Sequence, residues 1–136
     1  MKVVLISCVK GKLSHSAVAA ELYTSTLFTG SLKYARRLNA DRIYILSAKY
    51  GLLELDQVVE PYEETLKGKP VSVVRSWAYR VITELGRRTD LQSDRFVLLA
   101  GENYRKHLLK YIHSFEIPLQ GKNFGQQLSF YASINR

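Results

Sequence analysis

The sequence contains one cysteine, which excludes an internal disulfide and any cysteine-rich metal framework and fits a reducing compartment. Its three histidines, His15, His107 and His113, lack the spacing of a metalloprotease site. His107 and His113 lie six apart on a predicted helix, hence on different faces. No metal and no cofactor is indicated. No apolar run approaches the roughly 20 residues that cross a bilayer, so no membrane partner is expected. The run Val3-Val4-Leu5-Ile6 is too short for a signal peptide and has no small-residue cleavage pattern after it. It reads as a buried strand, and a cytoplasmic location is expected. Standard phosphate motifs are missing too. Val9 to Leu13 holds glycine and lysines without P-loop spacing, and no Gly-x-Gly-x-x-Gly follows a strand. That argues against an ordinary nucleotide triphosphatase or a nicotinamide enzyme. No repeat, low-complexity stretch or Pro/Gly/Ser linker divides the chain.

What is present is a globular pattern. The 136 residues are 46% hydrophobic and 24% charged, enough for one real core in a single domain. Short continuous apolar runs at Val3–Ile6, Ile43–Leu46 and Phe96–Ala100 predict strands buried on both faces. Phe115–Leu119 is a weaker candidate, in which Pro118 argues for an edge or a strand end. Helical periodicity fills the gaps: Ser31–Leu38, the strongly apolar Ser72–Arg88 after Pro70, a stripe of Tyr104, Leu108, Tyr111 and Ile112, and a last one of Phe124, Leu128 and Tyr131. Strands alternating with helices imply βαβ units. The expected fold is a three-layer α/β/α sandwich around a mostly parallel sheet of four to five strands.

In such a sheet, ligands bind beyond the carboxyl ends of the strands. The residues there are informative. The first strand is followed by Ser7, Cys8, Lys10, Gly11 and Lys12, and the second by Ser47, Ala48, Lys49, Tyr50 and Gly51. The third leads into Gly101, Glu102, Asn103 and Tyr104, and the fourth into Gln120, Gly121, Lys122 and Asn123. Any one such loop is ordinary; lysines in three of the four predict an anion-binding pocket. The net charge of +8 agrees with a polyanionic partner, nucleic acid or nucleotide, although a basic surface that only keeps the protein soluble has the same charge.

Two further features carry chemistry or structure. Cys8 beside Lys10 and Lys12 has neighbours that lower a thiol pKa, but a strand-end cysteine is commonly a small buried residue, and no histidine is placed as its base. The acidic stretch after Lys49 holds Glu54, Asp56, Glu60, Glu63 and Glu64. Asp56 or Glu60 would polarise a water in a partly dry pocket, and Tyr50 and Tyr62 offer faces for stacking a base. Glu63 and Glu64 read as a solvated acidic loop.

Three stretches together resemble a known family. Leu5–Lys12 with Ala20–Phe28, then Ile45–Leu53 with Val59–Tyr62, then Leu99–Tyr104, are similar to the small domains called YaaA-like or peroxide-stress-protein-like. The resemblance implies a uracil-DNA-glycosylase-like α/β fold, which also occurs in tRNA-modification enzymes, and an association with DNA protection. It implies the place of the pocket: Ser7, Cys8, Lys10, Tyr23, Ser47, Lys49, Tyr50, Gly51, Glu60, Tyr62, Gly101 and Tyr104. The chain has no clear water-activating motif of the uracil glycosylases and no room for an added helix-hairpin-helix. The expected functions are therefore an N-glycosidic, base-excision type hydrolase, a non-catalytic nucleic-acid-binding module, or a binder of a small nucleotide or metabolite. Lys49, Asp56 and Glu60 are the catalytic candidates of the first.

Overall fold

A computed structural model describes residues 1–7 and 11–135. The predicted runs form strands β1 (Lys2–Ser7), β3 (Arg42–Ser47), β6 (Arg95–Leu99) and β7 (Ser114–Glu116). They lie in one sheet of order β4-β3-β1-β6-β7, in which only β4 (Gly51–Glu54) is antiparallel to its neighbour. The short strands β2 (Ala17–Val18) and β5 (Val58–Val59) pair separately. Helices α1 (Ala19–Leu22), α2 (Thr26–Arg37), α3 (Val71–Arg88), α4 (Glu102–Arg105) and α5 (Phe124–Ile134) complete the chain, with a 3-10 turn at Leu109–Tyr111.

The continuous apolar runs resolve into two faces because successive strand side chains point to opposite sides of a sheet. Val4, Ile6, Ile45, Leu53, Val97 and Leu99 pack with Phe28, Leu32 and Ala35 of α2. Val3, Leu5, Tyr44, Leu46, Phe96 and Leu98 pack with Val74, Trp77, Ala78, Val81 and Leu85 of α3. The molecule is a three-layer α/β/α sandwich, and each large side chain so buried contributes about 1.5–3 kcal/mol.

The boundaries depart from expectation in three places. Helix α2 starts at Thr26, not Ser31, because the Ser25 side chain caps it by accepting from the Phe28 N–H at 3.1 Å. The stripe Tyr104–Ile112 is not one helix: α4 stops at Arg105, and turns carry the chain through Lys106–Leu108 to the 3-10 segment. The chain has to reach the start of β7 within this stretch, and tight turns achieve that while still burying Tyr104, Leu108 and Ile112. His107 and His113 therefore do not share a helix. Finally, the first part of the acidic stretch is a strand, since Leu52 and Leu53 are buried against opposite faces and β4 pairs with β3 from Tyr44↔Glu54 to Ser47↔Gly51.

Candidate functional site

The strand order places a switch point between β1 and β6. After β1 the chain passes to α1 and α2 on one face, whereas after β6 it passes to Tyr104 and Leu108 on the α3 face. Loops that leave neighbouring strands in opposite directions open a crevice between them, and this is where doubly wound sheets bind ligands. The two strand ends are tied here: the Gly101 N–H donates to Ser7 Oγ at 3.1 Å. Gly101 is exposed, and among the described residues a Cβ at this position would meet no atom within 4 Å. The described residues leave its side of the crevice free.

Beside the crevice, the end of β3 carries a chain of hydroxyls. Ser47 is fully buried; its Oγ accepts from the Tyr50 N–H at 3.0 Å and donates to the Tyr62 hydroxyl at 2.8 Å. The Tyr62 and Tyr23 hydroxyls are 2.7 Å apart. The Ser47 carbonyl accepts from the Trp77 indole N–H at 2.8 Å, so α3 is fastened to the same residue. Residues far apart in sequence thus meet because β3, the segment after β5 and the segment after α1 end at one edge. The rings follow suit. Tyr50 meets Tyr62 edge-on at 5.4 Å between centroids, and Trp77 meets Tyr104 edge-on at 5.6 Å.

Two ammonium groups lie over these rings. Lys12 Nζ is 4.5 Å from the Tyr62 centroid and 5.8 Å from that of Tyr23, and Lys49 Nζ is 5.4 Å from that of Tyr50. Lys12 is held there because its segment pairs with Tyr23, with Leu13 N–H bonded to the Leu22 carbonyl and Thr24 N–H to that of Gly11. Among the described residues no carboxylate lies within 4 Å of either ammonium; the acids in ion pairs are Glu54, Glu84 and Asp94.

Of the residues expected at the pocket, Ser7, Tyr23, Ser47, Lys49, Tyr50, Tyr62, Gly101 and Tyr104 come to this edge, while Cys8 and Lys10 lie outside the described residues. Four expectations change in detail. Tyr62 is buried, so its face does not stack a ligand, and it anchors the hydroxyl chain, while Tyr104, expected to line the pocket, is buried against Trp77. Gly51 is buried and is needed for the turn into β4, with φ +78° and Arg80 Nε 3.3 Å from where a Cβ would stand. Asp56 is exposed in the turn after β4, roughly 10 Å along the strand from the edge, because β4 runs away from it. Glu60 stays at the edge, since the Tyr50 hydroxyl donates to its carbonyl at 3.2 Å, but its side chain is exposed rather than held in a dry pocket.

The fourth strand-end loop does not join the others. Asn123 and Gln126 form a reciprocal capping box for α5, and Lys122 lies over the Phe130 ring at 5.7 Å. Sequence reasoning missed Trp77 as a part of the site, because its helical spacing marks it equally well as core. Two surface grooves, about 660 Å³ along α5 and about 440 Å³ beside α2, are lined by other residues than those of the edge. No group of three or more His, Cys, Asp or Glu able to hold a metal occurs among the described residues.

A family profile matches residues 3–133, nearly the whole chain. The chain belongs to DUF6884, a family of unknown function. No curated protein matches it closely enough to count as a relative. Among the described residues, no helix is long and apolar enough to cross a membrane.

Proposed function

We propose that this member of DUF6884 binds nucleic acid or a nucleotide at the crevice beyond β1 and β6, with Lys12 and Lys49 holding phosphate oxygens. The observation that carries this reading is the pair of ammonium groups that have no carboxylate partner among the described residues and stand beside the switch point. A protein of charge +8 leaves such cations unneutralised only where an anion is welcome or water suffices. Their placement at the edge where α/β sheets take ligands favours the anion. The resemblance to YaaA-like domains supports the same reading. Titration of a labelled nucleotide and a labelled oligonucleotide tests it: Lys12→Ala and Lys49→Ala each weaken binding severalfold, and affinity falls with salt. Unchanged affinity in both variants refutes the assignment.

The catalytic form of the reading is an N-glycosidic hydrolase in which Glu60 assists water attack at the sugar carbon while the base leaves with a proton. The bond from Tyr50 to the Glu60 backbone favours Glu60 over Asp56 as that carboxylate. Incubation with DNA carrying modified bases, followed by detection of abasic sites, decides whether chemistry accompanies binding. Glu60→Gln then abolishes the activity while binding persists. Binding with no abasic sites leaves a non-catalytic module, with DNA protection as its expected setting.

A further inference from the structure

We infer that the surface formed by the first half of α3 and the turn after α4 is a track for single-stranded nucleic acid leading to the strand-end crevice. This rests on the reading above and narrows it from a nucleotide to a polymer. The surface is cationic and carries an aromatic ring in its middle. Arg75, Arg80, Lys106 and Lys110 are exposed, and Tyr79 between the arginines has 64% of its surface in solvent. At 100° per residue Tyr79 stands between Arg75 and Arg80 around the helix, and the two arginines are about 7.5 Å apart along its axis.

Helix α3 and the α4 turn are one surface because Trp77 packs against Tyr104 and Tyr104 and Leu108 share the core of Val74 and Ala78. Lys106, His107 and Lys110 therefore stand beside Arg75. The His107 imidazole reports this field: partial desolvation first, then Arg75, Lys106 and Lys110, hold its pKa below the ordinary value. Among the described residues Arg75, Arg80, Lys106 and Lys110 form no ion pair. Glu102, one turn before Lys106, forms no ion pair with it, and Glu84 is engaged by Arg87 and Arg88 at the other end of α3. At the opposite flank, Arg80 Nη2 donates to the Lys49 carbonyl at 3.2 Å, so the surface continues into the crevice.

Positive charge alone accepts any polyanion. The exposed ring among arginines distinguishes a single strand, whose bases stack on tyrosine while its phosphates meet the cations. An acidic peptide has the charge without the stacking.

The test is anisotropy of a labelled 20-nucleotide dT strand and of a labelled mononucleotide, measured across salt with the full chain. For the intact protein the 20-mer binds at least tenfold more tightly than the mononucleotide. A triple variant, Arg75→Ala with Lys106→Ala and Lys110→Ala, loses at least tenfold for the 20-mer and nothing for the mononucleotide. Its salt slope falls by about 0.7 for each phosphate contact removed. Tyr79→Ala loses roughly 5–150-fold for the 20-mer, the equivalent of about 1–3 kcal/mol of stacking, with little change of slope. Thermal unfolding of each variant confirms folding, as all four side chains are at the surface.

Equal 20-mer binding by the intact protein and the triple variant overturns the track while leaving the crevice intact if Lys12→Ala still weakens the mononucleotide. Binding of a poly-glutamate peptide as tight as that of the 20-mer, with Tyr79→Ala silent, also overturns it. Failure of both the mononucleotide and the 20-mer to bind overturns the crevice reading itself.

Discussion

In the strand-end cluster the hydroxyls of Ser47, Tyr62 and Tyr23 bond to one another, whereas in the seam between α2 and α5 two buried polar atoms have no partner among the described residues. Those are the Tyr131 hydroxyl and the Asn135 side-chain carbonyl oxygen. Ser31 is close to Tyr131 but outside hydrogen-bond geometry with its hydroxyl, and its own hydroxyl donates to the Leu27 carbonyl at 2.8 Å. Burial pushes the Tyr131 phenol up to about 12. The seam is held mainly by close packing: a Cβ on Gly30 would stand 2.9 Å from Tyr131 Cβ. Two peripheral bonds supplement it, from Arg37 to the Ile134 carbonyl at 2.6 Å and from Asn135 to that of Gly30 at 3.1 Å. The difference is one of physical kind. A buried network whose members are all bonded fixes side chains in one geometry, as the proposed site would need. A seam needs only contact, and it tolerates a polar atom at some cost in stability.

The comparison breaks if the two regions respond alike to mutation. The largest effect is expected for Ser47→Val, which removes one of the bonds of the buried Tyr62 hydroxyl and takes the acceptor from the half-buried Tyr50 N–H, and costs about 2–3 kcal/mol in chemical denaturation. Gly30→Ala comes next. The substitution gains helix propensity, but the overlap with Tyr131 outweighs it and the net loss is about 1–2 kcal/mol in the same measurement. The paired change of tyrosine to phenylalanine discriminates most sharply. Tyr62→Phe costs about 1–2 kcal/mol by removing one hydrogen bond each from Ser47 and Tyr23, whereas Tyr131→Phe is neutral or stabilising by up to about 1 kcal/mol. Equal losses at the two positions would remove the distinction.

The smallest effect concerns acid. At the opposite edge of the sheet, the Ser93 hydroxyl and the N–H groups of Gln92 and Ser93 hold the Asp90 carboxyl below its ordinary 3.8. The Met1 ammonium and the Asp90 N–H do the same for Asp94. Carboxyls depressed on folding contribute stability above the unfolded value and lose it as the pH falls through the folded one. The expected loss therefore begins just below pH 3.8, and Asp90→Asn flattens it in acid titrations of unfolding. The hydroxyl chain contains no carboxylate, so Tyr62→Phe leaves the acid profile unchanged in shape.

The layers of this fold were legible in the sequence because strand burial and helix amphipathicity are local patterns. Val3–Ile6, Ile43–Leu46 and Phe96–Leu99 are strands, and Ser72–Arg88 is helical within one residue of its observed start. The edge strand β4 was not legible: Leu52 and Leu53 sit among Glu54, Asp56 and Glu60, and the acidic composition conceals a run of only four paired residues. The site was half legible. Ser47, Lys49, Tyr50 and Tyr62 stand where strand ends predict a pocket, but whether a tyrosine presents its face to ligand or its hydroxyl to a neighbour is a matter of three-dimensional contact. The position of Asp56 was hidden for the same reason, since the direction of β4 takes it away from the edge.

The sequence by itself determined the alternation of strands and helices, the cationic balance and the residue types at the strand ends, because each is set by local composition and period. Only the tertiary structure decided that Lys12 lies over Tyr62, that Trp77 fastens α3 to Ser47, and that the loop at Gln120–Asn123 serves α5 instead of the crevice. These joins link residues as much as 50 positions apart, Lys12 to Tyr62, and no local pattern encodes them. They follow from the strand order β4-β3-β1-β6-β7, which brings distant loops to one edge and leaves the crevice beside β1.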